Sequence, residues 1–105
     1  MIDKIQYLLA KASEESGEIV QIASKNICFG VNEVYPKIGR ANAVRLKEEF
    51  NDLVAVMEML HDEGIFEGDL IDSALIEQKK AKVEKFMEYS RECRVLKPET
   101  PTSQK

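Results

Sequence analysis

KASEESGEIVQIASK, residues 11–25, and LKEEFNDLVAVMEML, residues 46–60, decide how this chain folds. Both stretches repeat apolar residues at helical spacing, and both carry acids inside the repeat. At about 100° per residue, Glu15 shares a helix face with Leu8, Ala12, Ile19 and Ile22. Glu49 shares one with Leu46, Leu53, Val56 and Leu60. A carboxylate set in a core-facing stripe loses hydration worth several kcal/mol unless something pairs with it. Each has a second acid three residues on, Glu18 and Asp52, on the same side of its helix. Four carboxylates on two helices point to one shared partner, and a hard divalent cation is the simplest.

Outward from those two helices, the composition describes one small domain. Of 105 residues, 44% are hydrophobic and 32% charged, with five Gly and three Pro, the balance of a helical protein and not of a disordered chain. The net charge of −4 argues against nucleic acid as a partner, since that affinity rests on a basic surface. Cys28 and Cys93 make neither a metal-ligand spacing nor a disulfide framework. With no signal-peptide pattern and no run of about 18 apolar residues, the reading is a cytoplasmic chain, its thiols reduced, that does not engage a membrane.

The expected fold is all-α: a bundle of three long helices, with a short helical turn between the first two, completed by oligomerisation. The first helix runs from about Asp3, its N-cap, to Cys28, on a stripe of Ile5, Leu8, Leu9, Ala12, Ile19, Val20, Ala23 and Ile27. Residues 29–41 contain Gly30, Pro36 and Gly39 and read as a loop. Asn42 is expected to cap a second helix to about Glu63, with Leu46, Phe50, Leu53, Met57 and Leu60 inward and Gly64 as its stop. A third helix begins at Asp69 or Asp72, carries Leu75, Ile76, Val83, Phe86 and Met87, and fades near Glu92. Residues 1–92 then form the helical domain and 93–105 a polar tail. Three amphipathic helices make a thin core, and the apolar residues exceed what it can bury, so a homo-oligomer, dimer or tetramer, is expected.

Four to five carboxylate oxygens from two antiparallel helices suit Mg²⁺, or Mn²⁺, hard cations that keep waters and bind phosphates. Such a site can activate water and neutralise a leaving group in phosphoryl or nucleotidyl chemistry. The competing reading is a solvated helix face in an acidic protein. Against it stand the like-charge pairs Glu14 with Glu18 and Glu48 with Asp52, each costing about 0.2–0.5 kcal/mol in an exposed helix.

In sequence the pattern Glu14-Glu15-x-x-Glu18, a spacer, then Glu49-x-x-Asp52 resembles the MazG family. This is the all-α nucleoside triphosphate pyrophosphohydrolase superfamily, which also holds dimeric dUTPases and phosphoribosyl-ATP pyrophosphohydrolases. The flanks are similar too: residues 11–25 to the family's EExGEl stretch and 46–60 to its EElaDvl helix. The likeness covers about residues 1–90. It implies hydrolysis of a nucleoside triphosphate between the α- and β-phosphates, giving monophosphate and pyrophosphate. By that resemblance Glu15, Glu18, Glu49 and Asp52 hold Mg²⁺, while Glu14 joins them or orients the attacking water, with Glu14 and Glu15 as the catalytic pair. The loop at 29–40 is this chain's own, and base and sugar selection are expected there.

Basic residues complete the candidate site. Lys79 and Lys82 on the third helix resemble the family's phosphate-reaching residues, against a plain reading as stems snorkelling past a core edge. Lys25, and less directly Lys37 and Arg40, are further phosphate candidates, each set against a solvated surface. His61 reads as a helix-end histidine complementing the dipole. Gly17 costs up to about 1 kcal/mol against Ala in a helix, so it either admits a close neighbour or is tolerated. Phe29 and Tyr35 suit base stacking or core packing equally. Two alternatives stay open: a non-catalytic helical interaction module, and a superfamily enzyme acting on dUTP or phosphoribosyl-ATP.

Overall fold

The computed structural model describes residues 1–99 and contains three α-helices among them: α1 (Lys4–Phe29), α2 (Asn42–Asp62) and α3 (Ser73–Glu92). The all-α expectation holds, and none of these helices is long and apolar enough to cross a membrane. The chain divides into two compact units, residues 1–70 with α1 and α2, and a second from Ile71 onward with α3. The expected tail at 93–105 lies partly outside the described residues. Its described part starts with a turn in which the Val95 and Leu96 amides both donate to the Ser90 carbonyl.

Asp3 starts α1 as expected. Its carboxylate accepts the Gln6 amide at 2.8 Å, and the Gln6 side chain accepts the Asp3 amide, a reciprocal capping box. α1 and α2 run antiparallel. Lys4, at the start of α1, pairs with Glu63 beyond the end of α2 at 2.8 Å. At the other end, the Asn26 amide donates to the Asn42 carbonyl at 3.2 Å. Leu8, Ile22 and Leu60 are the buried apolar side chains of the hairpin, Leu60 fully so. Ile5, Ala12, Ile19, Leu46, Leu53, Val56 and Met57 are half-buried along the same seam. Part of each expected stripe turns outward instead: Leu9, Val20 and Ile27 on α1 and Phe50 on α2 are exposed. Leu9, Val20 and Ile27 fall within about 20° of one line along the helix, so α1 carries a second apolar stripe.

Asn42 does not cap α2; Ala41 does, without any side-chain hydrogen bond. The physical reason lies in the loop. The first amides of α2 are satisfied by loop carbonyls, Asn42 N–H by Glu33 at 3.0 Å and Ala43 N–H by Val31 at 2.9 Å, so no side-chain cap is required. The Asn42 side chain is thereby free for another task, and it is fully buried. Its Nδ2 donates to the Gly30 carbonyl and to Glu33 Oε1, both at 2.9 Å, and its Oδ1 accepts from Arg45 at 3.4 Å. The loop itself closes through a single Val34–Ala41 bridge and a turn in which the Tyr35 carbonyl accepts from Ile38 and Gly39.

At the other end of α2, Gly64 adopts φ 83° and ends the helix, a conformation that a side chain would strain. His61 Nε2 bonds the Gly68 carbonyl at 2.9 Å and its ring stacks with Phe66, so this histidine holds the turn after α2. α3 begins at Asp72, whose Oδ1 accepts from Ala74 and Leu75. Leu75, Ile76, Val83 and Phe86 of α3 are exposed, and Cys28 and Cys93 are both free, exposed thiols.

The Asn42 joint yields a prediction. Asn42→Ala leaves the Gly30 carbonyl and Glu33 without their buried donor, and should cost about 1–3 kcal/mol in urea denaturation. A loss under 0.5 kcal/mol would show that the loop is held without it.

Candidate metal centre

The hairpin brings Glu15, Glu49 and Asp52 together: one carboxylate oxygen from each lies within 4.8 Å of the others. Glu15 and Glu49 are half-buried and Asp52 is exposed, so the group sits at the rim of the helix seam. Their placement follows from the stripes. Glu15 lies on the line of Leu8 and Ile22, and Glu49 on that of Leu46, Leu53, Val56 and Leu60. Burying those lines against each other leaves the two acids facing across the gap.

Electrostatics report the same convergence. The Glu49 carboxyl is pushed above its ordinary value, first by lost hydration, then by the negative charges of Glu18, Asp52 and Glu15. Arg45, one turn earlier on α2, pulls it partly back. Glu18 therefore belongs to this charge group, although its oxygens are not among the three that come closest.

Each Glu-Glu doublet divides its labour. Glu14 pairs with Lys11 at 2.9 Å, and Glu48 with Arg40 at 2.9 Å. Those outward acids explain how the like-charge spacing is tolerated. Their neighbours Glu15 and Glu49, together with Glu18 and Asp52, take part in no ion pair among the described residues. Glu14 and Glu48 thus belong to the solvated face, as do the exposed Glu18 and Asp52, while Glu15 and Glu49 are half-buried at its edge. Glu14 is not among the three acids whose oxygens converge, and of the two roles expected for it, joining them or orienting the attacking water, the second does not need it there.

The donor set fits a hard divalent cation. Oxygens bound to Mg²⁺ at about 2.0–2.1 Å lie at most about 4.2 Å apart, and those around larger ions somewhat more. Three carboxylate oxygens within 4.8 Å need only small side-chain rotations to reach that spacing. Gly17, between Glu15 and Glu18, has open space where a Cβ would stand, so packing within the chain does not call for glycine there.

The expected basic residues line features within their own units. Lys25 lines a cavity at the far end of α1, with Phe29, Glu33, Tyr35, Ile38 and Arg45. Lys79 and Lys82 line a groove along α3 with Val83, Phe86, Val95 and Leu96, within the second unit. Sequence reasoning did not single out Arg45 or Glu33, and it read Asn42 only as a cap. Arg45 was within reach of it, standing one helical turn from Glu49 on the same face. Asn42 and Glu33 gave no such signal, since their pairing depends on the path of the loop. No protein-family model, curated protein or solved structure matches the chain.

The raised Glu49 carboxyl sets a pH test. Below its ordinary value of 4.5 the group is neutral in folded and unfolded chains alike. As pH rises past that value, the unfolded chain ionises first, and the folded state loses stability until Glu49 also ionises. In EDTA, Glu49→Gln should therefore melt with wild type at low pH and above it near neutrality. A variant that melts below wild type at neutral pH would mean that the Glu49 charge has a stabilising protein partner.

Proposed function

We propose that the chain is a MazG-like hydrolase that cleaves a nucleoside or deoxynucleoside triphosphate to monophosphate and pyrophosphate with Mg²⁺. The observation that carries this reading is the meeting of Glu15, Glu49 and Asp52 across two helices, with no protein cation paired to them among the described residues. The order and spacing of the acids along the chain supply the family resemblance. Glu15, Glu49 and Asp52 would hold the cation, and Glu18 adds a fourth carboxylate at the edge of the group. When bound, the cation supplies positive charge to the departing pyrophosphate and lowers the cost of deprotonating water. Glu15, half-buried and free of ion pairs, is the better candidate to accept that proton, because the Glu14 carboxylate is engaged by Lys11. Arg45, whose charge reaches Glu49, would meet substrate phosphate charge, and Lys79 and Lys82 remain proposed phosphate contacts.

Oligomerisation belongs to the same proposal. Among the described residues three apolar side chains are buried, few for a chain of this length, and α1 and α3 each carry large apolar side chains that the helices of their own unit do not cover. A second copy of the chain is the partner that would cover them. Light scattering should return at least twice the chain mass of 11.9 kDa, and a monomer at micromolar concentration would remove this part of the proposal.

The activity test is a Mg²⁺-dependent pyrophosphate-release screen over all NTPs and dNTPs. The expected products are monophosphate and pyrophosphate. Glu49→Gln and Asp52→Asn should each lose at least about 100-fold in kcat. Lys79→Ala or Lys82→Ala should raise KM or lower kcat without altering Mg²⁺ affinity. Diphosphate with inorganic phosphate, or release that ignores EDTA, would sink the assignment.

A further inference from the structure

Between the last turn of α1, the loop and the first turns of α2 lies a cavity of about 440 Å³, within the range of small-ligand sites. Its lining is chemically mixed. Phe29 and Tyr35 contribute aromatic rings that are 65% and 47% exposed, apolar faces left open to solvent. Glu33 contributes a half-buried carboxylate, and Lys25 and Arg45 contribute cations.

Glu33 does not swing freely. Its Oε1 accepts Asn42 Nδ2 at 2.9 Å, and Asn42 is fully buried and tied on its other side to Gly30 and Arg45. An ionised carboxylate offers about four lone-pair sites, of which Asn42 takes one. The remainder form a fixed acceptor beside two aromatic rings. Such a set suits a flat heterocycle that stacks on a ring and points N–H groups at the carboxylate. Arg45 serves both places: it lines the cavity, and its charge reaches Glu49 in the acid cluster. A ligand with a ring in the cavity and phosphates running past Arg45 would extend toward Glu49.

We propose that this cavity holds the base of a nucleotide and that Glu33 selects bases presenting adjacent N–H donors, guanine foremost, against uracil and thymine. Taking the ligand as a nucleotide rests on the hydrolase reading given above. Guanine shows a ring N–H beside an exocyclic amino group, two donors for one carboxylate. Adenine and cytosine show an amino group next to an acceptor. The single N–H on the pairing edge of uracil and thymine lies between two carbonyl oxygens, which a carboxylate repels. A well-made bidentate contact of this kind is worth about 10- to 100-fold in discrimination.

Calorimetric titration in EDTA tests the cavity apart from catalysis, with GMP and UMP as probes and kcat/KM for GTP and UTP measured in parallel with Mg²⁺. Wild type should bind GMP at least tenfold tighter than UMP, and Glu33→Gln, which can keep the Asn42 contact, should erase that ratio. Tyr35→Ala, a second variant, should weaken both probes and keep the ratio. Equal or absent binding of the two probes by wild type, or a Glu33→Gln ratio like that of wild type, overturns the base site. If hydrolysis then proceeds equally on all bases, only the base site has failed. Selective GMP binding without triphosphate cleavage supports the base site and removes the hydrolase reading alone.

Discussion

Glu15 and Glu49 face one another across the seam of a two-helix hairpin, where the burial of the two apolar lines against each other brings them. Among the described residues the buried apolar side chains are Leu8, Ile22 and Leu60. Domains of this size hold together by about 5–15 kcal/mol in total. Lost hydration and three other acids oppose ionisation of the Glu49 carboxyl, with Arg45 pulling partly back, so its charge counts against that total. A sequence under pressure for stability alone would place Leu or Gln at position 49. On the proposed function a bound cation would turn the repulsion into coordination, an exchange of stability for function.

The hairpin can carry this burden because its open end is fixed by polar bonds in place of a larger core. Asn42 ties the α1 end, the loop and α2 at one fully buried point, and the loop carbonyls of Val31 and Glu33 satisfy the first amides of α2. Lys4 and Glu63 close the opposite end, though an exposed pair of this kind contributes little. The Asn42 joint has a second consequence: it aims Glu33 and Arg45 into one cavity. The same joint that sets how α1 meets α2 also sets the lining of the proposed base site. Binding there and stability of the hairpin are in this way coupled through one side chain.

Much of the fold could be read from the sequence, because helical periodicity and helix ends are local. Asp3, Gly64 and Asp72 act where their residue types suggest, and Glu15 and Glu49 lie half-buried in the stripes that placed them inward. What escaped was non-local. Asn42 looked like a cap by type and position, and only the return of the loop carbonyls removed that need. The outward turn of Leu9, Val20, Ile27 and Phe50 was equally hidden, since a helix apolar on two sides does not say which side meets its neighbour. In the candidate site, spacing set Glu15 on the apolar face and Glu14 about 100° from it, but it did not show what Glu14 meets, which is Lys11.

The central claim, that the inward acids form a cation site, is tested most directly by Mn²⁺ as a paramagnetic probe in solution NMR without nucleotide. Bound Mn²⁺ should bleach amide signals around Glu15, Glu18, Glu49 and Asp52 first, with Mg²⁺ competing it away and Glu49→Gln abolishing it. Bleaching spread evenly over exposed acids such as Glu58, Asp62 and Glu67, or centred on any of them, would contradict the account.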